Sequence, residues 1–301
     1  MHTRPLKPPA LGHNPAAMFF TAPPARALAG LLRSLDRWAP SFSTRMAMGL
    51  FFTPLPTKWP ARARALPAGW QVERLPFEGG SLAVWRRLDT RPQAPRVLLV
   101  HGWAGDASQM LRQAEALAAQ GLEPILVDLP AHGRSSAWRS NLGQWVRALF
   151  TVSARFGPWQ GVVAHSLGGL ATAHALARGL PAQAAALIAL APPPRQFLSW
   201  FGAAMGVGEG LAERMQQRIE RRLGVRMSEF EASWLAPRLR QPILLVHDRD
   251  DRTAPWHYSQ GLQAQLPGSR LQLTQGQGHR RVLDHIEVLS AVAAHLQRPA
   301  S

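Results

Sequence analysis

Residues 159–170 read WQGVVAHSLGGL, and the architecture of the chain follows from how they are parsed. Gly161 to Ala164 is a short apolar run, the texture of a strand covered on both faces. From Leu167 to about Arg178 the residues suit a helix, and Ser166 lies where strand and helix meet. A sharp strand-to-helix turn strains the backbone at its apex and tolerates only small neighbours. Ala164 and Gly168, two residues on either side of Ser166, meet that demand. A serine raised on such a turn suits nucleophilic attack; the same residues also suit an ordinary serine N-cap.

The pattern extends in both directions. Gln71 to Leu75 and Leu82 to Arg86 read as two strands around Gly79 and Gly80, an antiparallel start. Val97 to Val100 and Pro124 to Val127 are further buried runs, separated by a helical pattern through Met110, Leu111, Ala114 and Leu117. A helix over Leu142 to Phe156 precedes the quoted stretch, and strands at Ala185 to Leu190, Ile243 to Val246 and Leu271 to Thr274 follow it, with a last helix from about Val282 to Leu296. Strands alternating with helices predict an α/β fold, a mostly parallel sheet with helices on both faces and functional loops at the carboxyl ends of the strands. From about Ala191 to Arg240 the alternation breaks. Phe197, Trp200, Phe201, Met205, Met227, Phe230 and Trp234 flank a helical pattern there through Leu211, Met215, Ile219 and Leu223, and this predicts a helical insertion.

AHSLGG resembles the GxSxG nucleophile elbow of the α/β-hydrolase family, with Ala164 in place of the first Gly, and the nearest likeness is to bacterial serine hydrolases of the esterase and lipase kind. That resemblance covers roughly the last three quarters of the chain and implies the order nucleophile, acid, base. After Val246 the chain reads His247, Asp248, Arg249, Asp250, Asp251, and on residue type alone three acids compete. The family's acid, three residues, then Pro is reproduced by Asp251 and Pro255, which favours Asp251 and leaves Asp248 and Asp250 as solvated turn or capping residues. The base follows the next strand: His279 comes after Gly276, Gln277 and Gly278, where a glycine leaves room for the ring to reach the serine. His285 and His295, placed in the last helix, are expected on the surface.

The resemblance also places an oxyanion hole at the backbone N–H groups of Trp103, in His101-Gly102-Trp103, and of Leu167. His101 is expected to be a structural histidine. Asp128 to Ser135, DLPAHGRS, resembles the family's DxPGHGxS loop with Ala131 for its first Gly, and is assigned to site shape with Asp128 structural. The insertion stands at the family's lid position. Its aromatic and Met side chains suit either a pocket for an apolar acyl chain or aromatic group, or packing of the insertion onto the sheet. Arg214, Arg218, Arg221 and Arg222 read as a solvated helix face. No cofactor or metal is implied, and no HExxH pairing is present.

Composition narrows the chemistry further. Among 301 residues there is no cysteine, which removes thiolate nucleophiles and disulfides. Thirty-four Lys and Arg against 18 Asp and Glu give a net charge of +16, and residues 1–70 hold nine of these bases with one acid, Asp36. Only Lys7 and Lys58 are lysines, a bias that fits genomic composition, and no nucleic-acid fold signature accompanies it. The chain therefore divides into a basic, Pro/Ala-rich N-terminal extension, 1–69, and an α/β-hydrolase domain, 70–301, with the insertion at about 191–240. A helix over Ala25 to Trp38 is predicted either to pack on the main domain or to lie on a membrane surface.

The expected activity is serine hydrolysis of a small ester-type substrate through an acyl-enzyme, in a cytoplasmic protein with peripheral membrane contact through the extension. The same triad would also serve a thioesterase, an amidase, a C–C hydrolase or an acyltransferase. A non-catalytic scaffold docking on membrane or nucleic acid is the remaining alternative.

Overall fold

Apolar runs too short for helices and too continuous for exposed strands have one stable arrangement, the centre of a covered sheet. The computed structural model describes residues 23–54, 58–207 and 209–297. Eight strands form one sheet: β1 (Trp70–Phe77), β2 (Gly80–Arg87), β3 (Arg96–Val100), β4 (Glu123–Asp128), β5 (Trp159–His165), β6 (Ala182–Ile188), β7 (Ile243–Asp248) and β8 (Arg270–Thr274). Their spatial order is β1-β2-β4-β3-β5-β6-β7-β8. The pairs β1–β2 and β2–β4 are antiparallel, and every other pair is parallel. Val100 pairs with Ala164, Ala164 with Leu187, Ile188 with Val246 and Asp248 with Thr274, so the carboxyl ends of β3, β5, β6, β7 and β8 align at one edge.

Each face of the sheet buries its own core. On one side α5 (Leu142–Phe156), α6 (Ser166–Ala177) and α10 (His257–Gln263) pack Trp145, Leu149, Leu170 and Leu262 against Leu98, Val162 and Leu245. On the other, α4 (Leu111–Ala119) and α12 (Ile286–Leu296) pack Ala114, Leu117, Val288 and Val292 against Leu99, Val163 and Val246. Between β6 and β7 the chain forms α7 (Pro194–Met205), α8 (Glu209–Leu223) and the short α9 (Ala232–Leu235).

The last helix begins later than its apolar pattern suggests. His285 takes extended angles (φ −69°, ψ 128°) and starts α12 at Ile286, while Val282 and Leu283 fold inward as a buried turn after the four-residue α11 (Gly278–Arg281). His295, expected on the surface, is buried, and its Nε2–H donates to the Ala185 carbonyl at 3.1 Å because α12 lies flat on the sheet. His285 is half-buried.

The N-terminal residues that are described form α1 (Pro23–Trp38), α2 (Pro40–Phe51) and α3 (Lys58–Ala63). Residues 1–22, with the apolar Met18, Phe19 and Phe20, lie outside the described residues. Ala29 and Leu32 of α1 and Ala47 and Met48 of α2 join Phe201 and Met205 of α7 and Leu211 and Met215 of α8 in a third core. Arg214 is thus not solvated: its guanidinium pairs with Asp36 and donates from Nε to Thr44 Oγ1 at 3.2 Å. Arg221 and Arg222 are exposed as expected, and Arg218 is half-buried. Leu32 is fully buried at the centre of this contact. Leu32→Ala should weaken the docking of α1 by about 2–4 kcal/mol. Hydrogen exchange should then accelerate across residues 23–54 while the sheet stays protected.

Candidate active site

The elbow is built by close backbone approach. Ser166 sits at φ +53° at the first position of α6. A Cβ at Gly168 would come within 2.1 Å of the His101 carbonyl oxygen, and one at Gly102 within 2.9 Å of the Ser166 Cβ. The loop after β3 therefore runs directly against the serine, a contact only glycine permits on both sides. Ala131, which stands where the resembling loop has Gly, takes the left-handed angle φ +68°.

The three residues singled out in the sequence meet at the carboxyl edge of the sheet. Ser166 Oγ lies 3.0 Å from His279 Nε2, and His279 Nδ1 lies 2.6 Å from Asp251 Oδ2. A carboxylate only accepts, so Nδ1–H donates to Asp251 and Nε2 is left to accept the serine hydroxyl proton. Asp251 Oδ1 accepts the N–H groups of Thr253 and Ala254 at 2.8 and 2.9 Å. Its Oδ2 also faces His247 Nε2 at 3.2 Å. Burial would raise this carboxyl, but donation from His247, His279 and the Ala254 N–H outweighs it and holds the group well below the usual carboxylate range.

Asp248 is buried, not solvated, and it staples the turn that carries His279. It accepts the Thr274 hydroxyl and the N–H groups of Asp250, Gln277 and Gly278 at 2.7–3.0 Å. Against the pull of burial, these donors lower its carboxyl. Asp250 accepts the Gly276 N–H at 2.9 Å.

Trp103 stacks on Trp145 with centroids 5.8 Å apart, and Leu167 follows the serine in the first turn of α6, where no intrahelical carbonyl faces its N–H. His101 is buried and structural as expected: Nδ1–H donates to the Gly102 carbonyl at 2.7 Å and Nε2 accepts the Leu129 N–H at 3.0 Å. Asp128 is also structural, accepting Trp85 Nε1–H, Ala107 N–H and Arg134 N–H at 2.7–3.0 Å.

The aromatic and Met side chains between β6 and β7 pack within the fold. Phe201, Met205, Met215 and Met227 face the α1–α2 pair, and Phe230 and Trp234 stack on His174 of α6 at 4.4 and 5.2 Å.

Three histidines that support the site carry no role in the sequence reading. His132 accepts the Ala104 N–H at 3.1 Å and donates to the Pro130 carbonyl at 2.9 Å, which ties the loop after β3 to the loop after β4. His247 donates to the Ala254 carbonyl at 2.8 Å and meets Ser259 Oγ at 2.7 Å. His165 donates from Nε2 to the backbone carbonyl of His279 at 2.8 Å. The available signals were positional: His165 directly precedes Ser166, and His247 stands four residues before Asp251. Burial, then the neighbouring His279, pull the His165 imidazole down to about 3 from its ordinary 6.5.

The strand order, the elbow and the loops at the carboxyl edge define the α/β-hydrolase fold. A family model described as alpha/beta hydrolase fold matches residues 95–236, and the chain is an α/β-hydrolase-fold protein. A curated pimeloyl-[acyl-carrier protein] methyl ester esterase from Shewanella sp. (strain MR-7) is 31% identical over 133 residues, 40% of this chain and 48% of that protein. The chain thus matches about half the length of that relative. Among solved structures, 2-hydroxy-6-oxo-6-phenylhexa-2,4-dienoate hydrolase from Rhodococcus sp. strain RHA1 aligns with a TM-score of 0.57 at 18% identity, covering 76% of this chain and 99% of that one. A bacterial membrane phospholipase A aligns with a TM-score of 0.58 at 17% identity, covering 90% and 97%. These two structures share the fold.

Two outcomes are expected from this geometry. A histidine whose pKa is lower folded than unfolded contributes its full stability above the unfolded value and loses it as pH falls. Urea unfolding of His165→Gln between pH 6.5 and 3 should therefore show a shallower decline than wild type, by up to roughly 4 kcal/mol at the acid end. Gly168→Ala should destabilise the fold by about 1–3 kcal/mol or more, since its Cβ meets backbone and not a movable side chain.

Proposed function

We propose that the protein is a serine hydrolase that cleaves a small ester-type substrate through an acyl-enzyme. The observation that carries this reading is the unbroken relay from Ser166 Oγ through His279 to Asp251, at 3.0 and 2.6 Å. As Ser166 Oγ attacks the ester carbonyl, its proton passes to His279 Nε2 and a tetrahedral oxyanion forms. Asp251, held as a carboxylate, fixes the tautomer and stabilises the imidazolium. The N–H groups of Trp103 and Leu167 are the donors to the oxyanion, aided by the contact of Gly102 with the serine. The carbonyl–oxygen bond then breaks and the alcohol departs with the proton from Nε2. Water attacks the acyl-serine with His279 as base, the acid is released and the proton returns to Oγ.

In this reading the helices between β6 and β7 serve as a lid. Half-buried Trp103 and Leu167 flank Ser166 and suit an apolar acyl or aromatic group. An ester substrate agrees with the esterase name of the Shewanella relative.

Wild type should be labelled by a fluorophosphonate probe and should release p-nitrophenol from short-chain esters with an initial burst. Ser166→Ala should lose the label, and its turnover should fall by at least about 10³-fold. Asp251→Asn should keep the fold while lowering kcat by about 10³–10⁴-fold. Equal labelling of wild type and Ser166→Ala would remove Ser166 from the reaction.

A further inference from the structure

α1 presents two faces of opposite character. Ala29 and Leu32 turn inward to the third core, while Ala27, Leu31, Ser34 and Trp38, spaced i, i+4, i+7 and i+11, are exposed along one stripe. Leu31 is 51% and Trp38 82% exposed, unusual for side chains of that size. The stripe continues onto α2, where Phe42, 50% exposed, and Arg45 are followed one turn later by Gly49. Over Gly49 lies the guanidinium of Arg139, placed 3.4 Å from where a Cβ would stand. Beside Arg139, the exposed rings of Trp138 and Trp59 meet at 5.5 Å. One surface thus carries aromatic rings along its length.

Its charge has a single sign. Arg33, Arg37, Arg45 and Arg139 are exposed and have no carboxylate partner among the described residues. Arg37 lies over the Trp38 ring at 5.8 Å and Arg45 over Phe42 at 5.9 Å. The one acid between residues 23 and 64, Asp36, is already engaged by Arg214 and the Ser43 hydroxyl. Exposed Trp and Phe interleaved with unpaired guanidinium groups match the headgroup region of a bilayer, where rings enter the interface and Arg meets lipid phosphate. Duplex nucleic acid would use the charges but give the apolar stripe Leu31, Trp38 and Phe42 no partner, and a second copy of the chain would bring like charge to like.

We propose that the outer face of α1 and α2, with Trp138 and Arg139, docks the protein on anionic phospholipid bilayers. Docking is independent of the hydrolase reading, because none of these residues belongs to the catalytic relay. The inner face of the same two helices packs on α7 and α8, so docking would tie those helices to the bilayer through α1 and α2.

The test is co-sedimentation of the full chain with vesicles of phosphatidylcholine alone or with about one third phosphatidylglycerol, at low and high salt. Partition onto the anionic vesicles should exceed that onto neutral ones by at least about tenfold and should weaken with salt. Arg37→Gln and Arg45→Gln should each lower it about fivefold. The double variant Trp38→Ala/Phe42→Ala should lower it about tenfold or more with the circular dichroism spectrum unchanged. Brominated lipid should quench wild-type tryptophan fluorescence, and Trp38→Phe should lose part of that quenching. Equal partition onto neutral and anionic vesicles, or full binding by the double variant, would overturn the proposal. So would a lipid-free dimer, or a duplex DNA complex, that the Trp38/Phe42 substitutions abolish.

Discussion

The site depends on one steric constraint: the loop after β3 and the start of α6 touch backbone to backbone. Gly102 lies against the Ser166 Cβ and Gly168 against the His101 carbonyl, with distances that exclude any Cβ on either glycine. That contact holds Ser166 at a positive φ which a serine does not adopt unaided. The strain is local, but the force opposing it is distributed: Val97 to Val100 and Val162 to Ala164 are buried strands in parallel register, and neither can retreat without opening both cores.

A second layer of order comes from buried histidine rings bonded to the backbone. His101, His132, His165 and His247 each donate one ring N–H to a backbone carbonyl, and His101 and His132 use the other nitrogen to accept a backbone N–H. Through these bonds the loops after β3 and β4 are tied to each other, and the end of β5 is tied to the backbone of His279. An imidazole is well suited to this because it offers one donor and one acceptor in a rigid plane. At His101 and His132 the arrangement needs a singly protonated ring, since a doubly protonated one would turn a donor towards a backbone N–H. Burial favours the neutral ring, as the lowered imidazoles of His101 and His165 indicate.

The legible part of the sequence was the part governed by local rules. Continuous apolar runs marked the strands to within three residues, and small residues around Ser166 marked the elbow. Asp251 and His279 were legible only through resemblance, because three acids share one loop and nothing local ranks them. What separates them in space is which donors converge: Asp248 collects the amides of the following turn, whereas Asp251 faces two imidazoles. Apart from His247, four residues before Asp251, those donors come from residues 26–30 positions away, beyond the reach of periodicity. The same limit hid the role of Arg214, whose partner Asp36 lies 178 residues upstream. His295 failed as a surface residue because both faces of the sheet are covered, so a polar residue on the inward side of α12 is buried with its partner.

Charge looks different once each group is placed. Arg86 and Arg96 converge on the buried Glu123, Arg178 meets Glu229, and Arg214 meets Asp36, so much of the basic excess within the fold is structural pairing. Pairs half-open to solvent contribute little to stability individually, and their value is in fixing where elements meet. Some of the bases left over are grouped. Arg37, Arg45 and Arg139 are exposed alongside Trp38, Phe42 and Trp138. A folded chain ordinarily separates large exposed rings from one another, because a contiguous apolar patch invites association. Here guanidinium groups sit over the rings, which preserves solubility while leaving both groups available to a surface that is itself apolar and anionic. Composition bias explains why the bases are arginine. It does not explain why Arg37, Arg45 and Arg139 share a face with Trp38, Phe42 and Trp138.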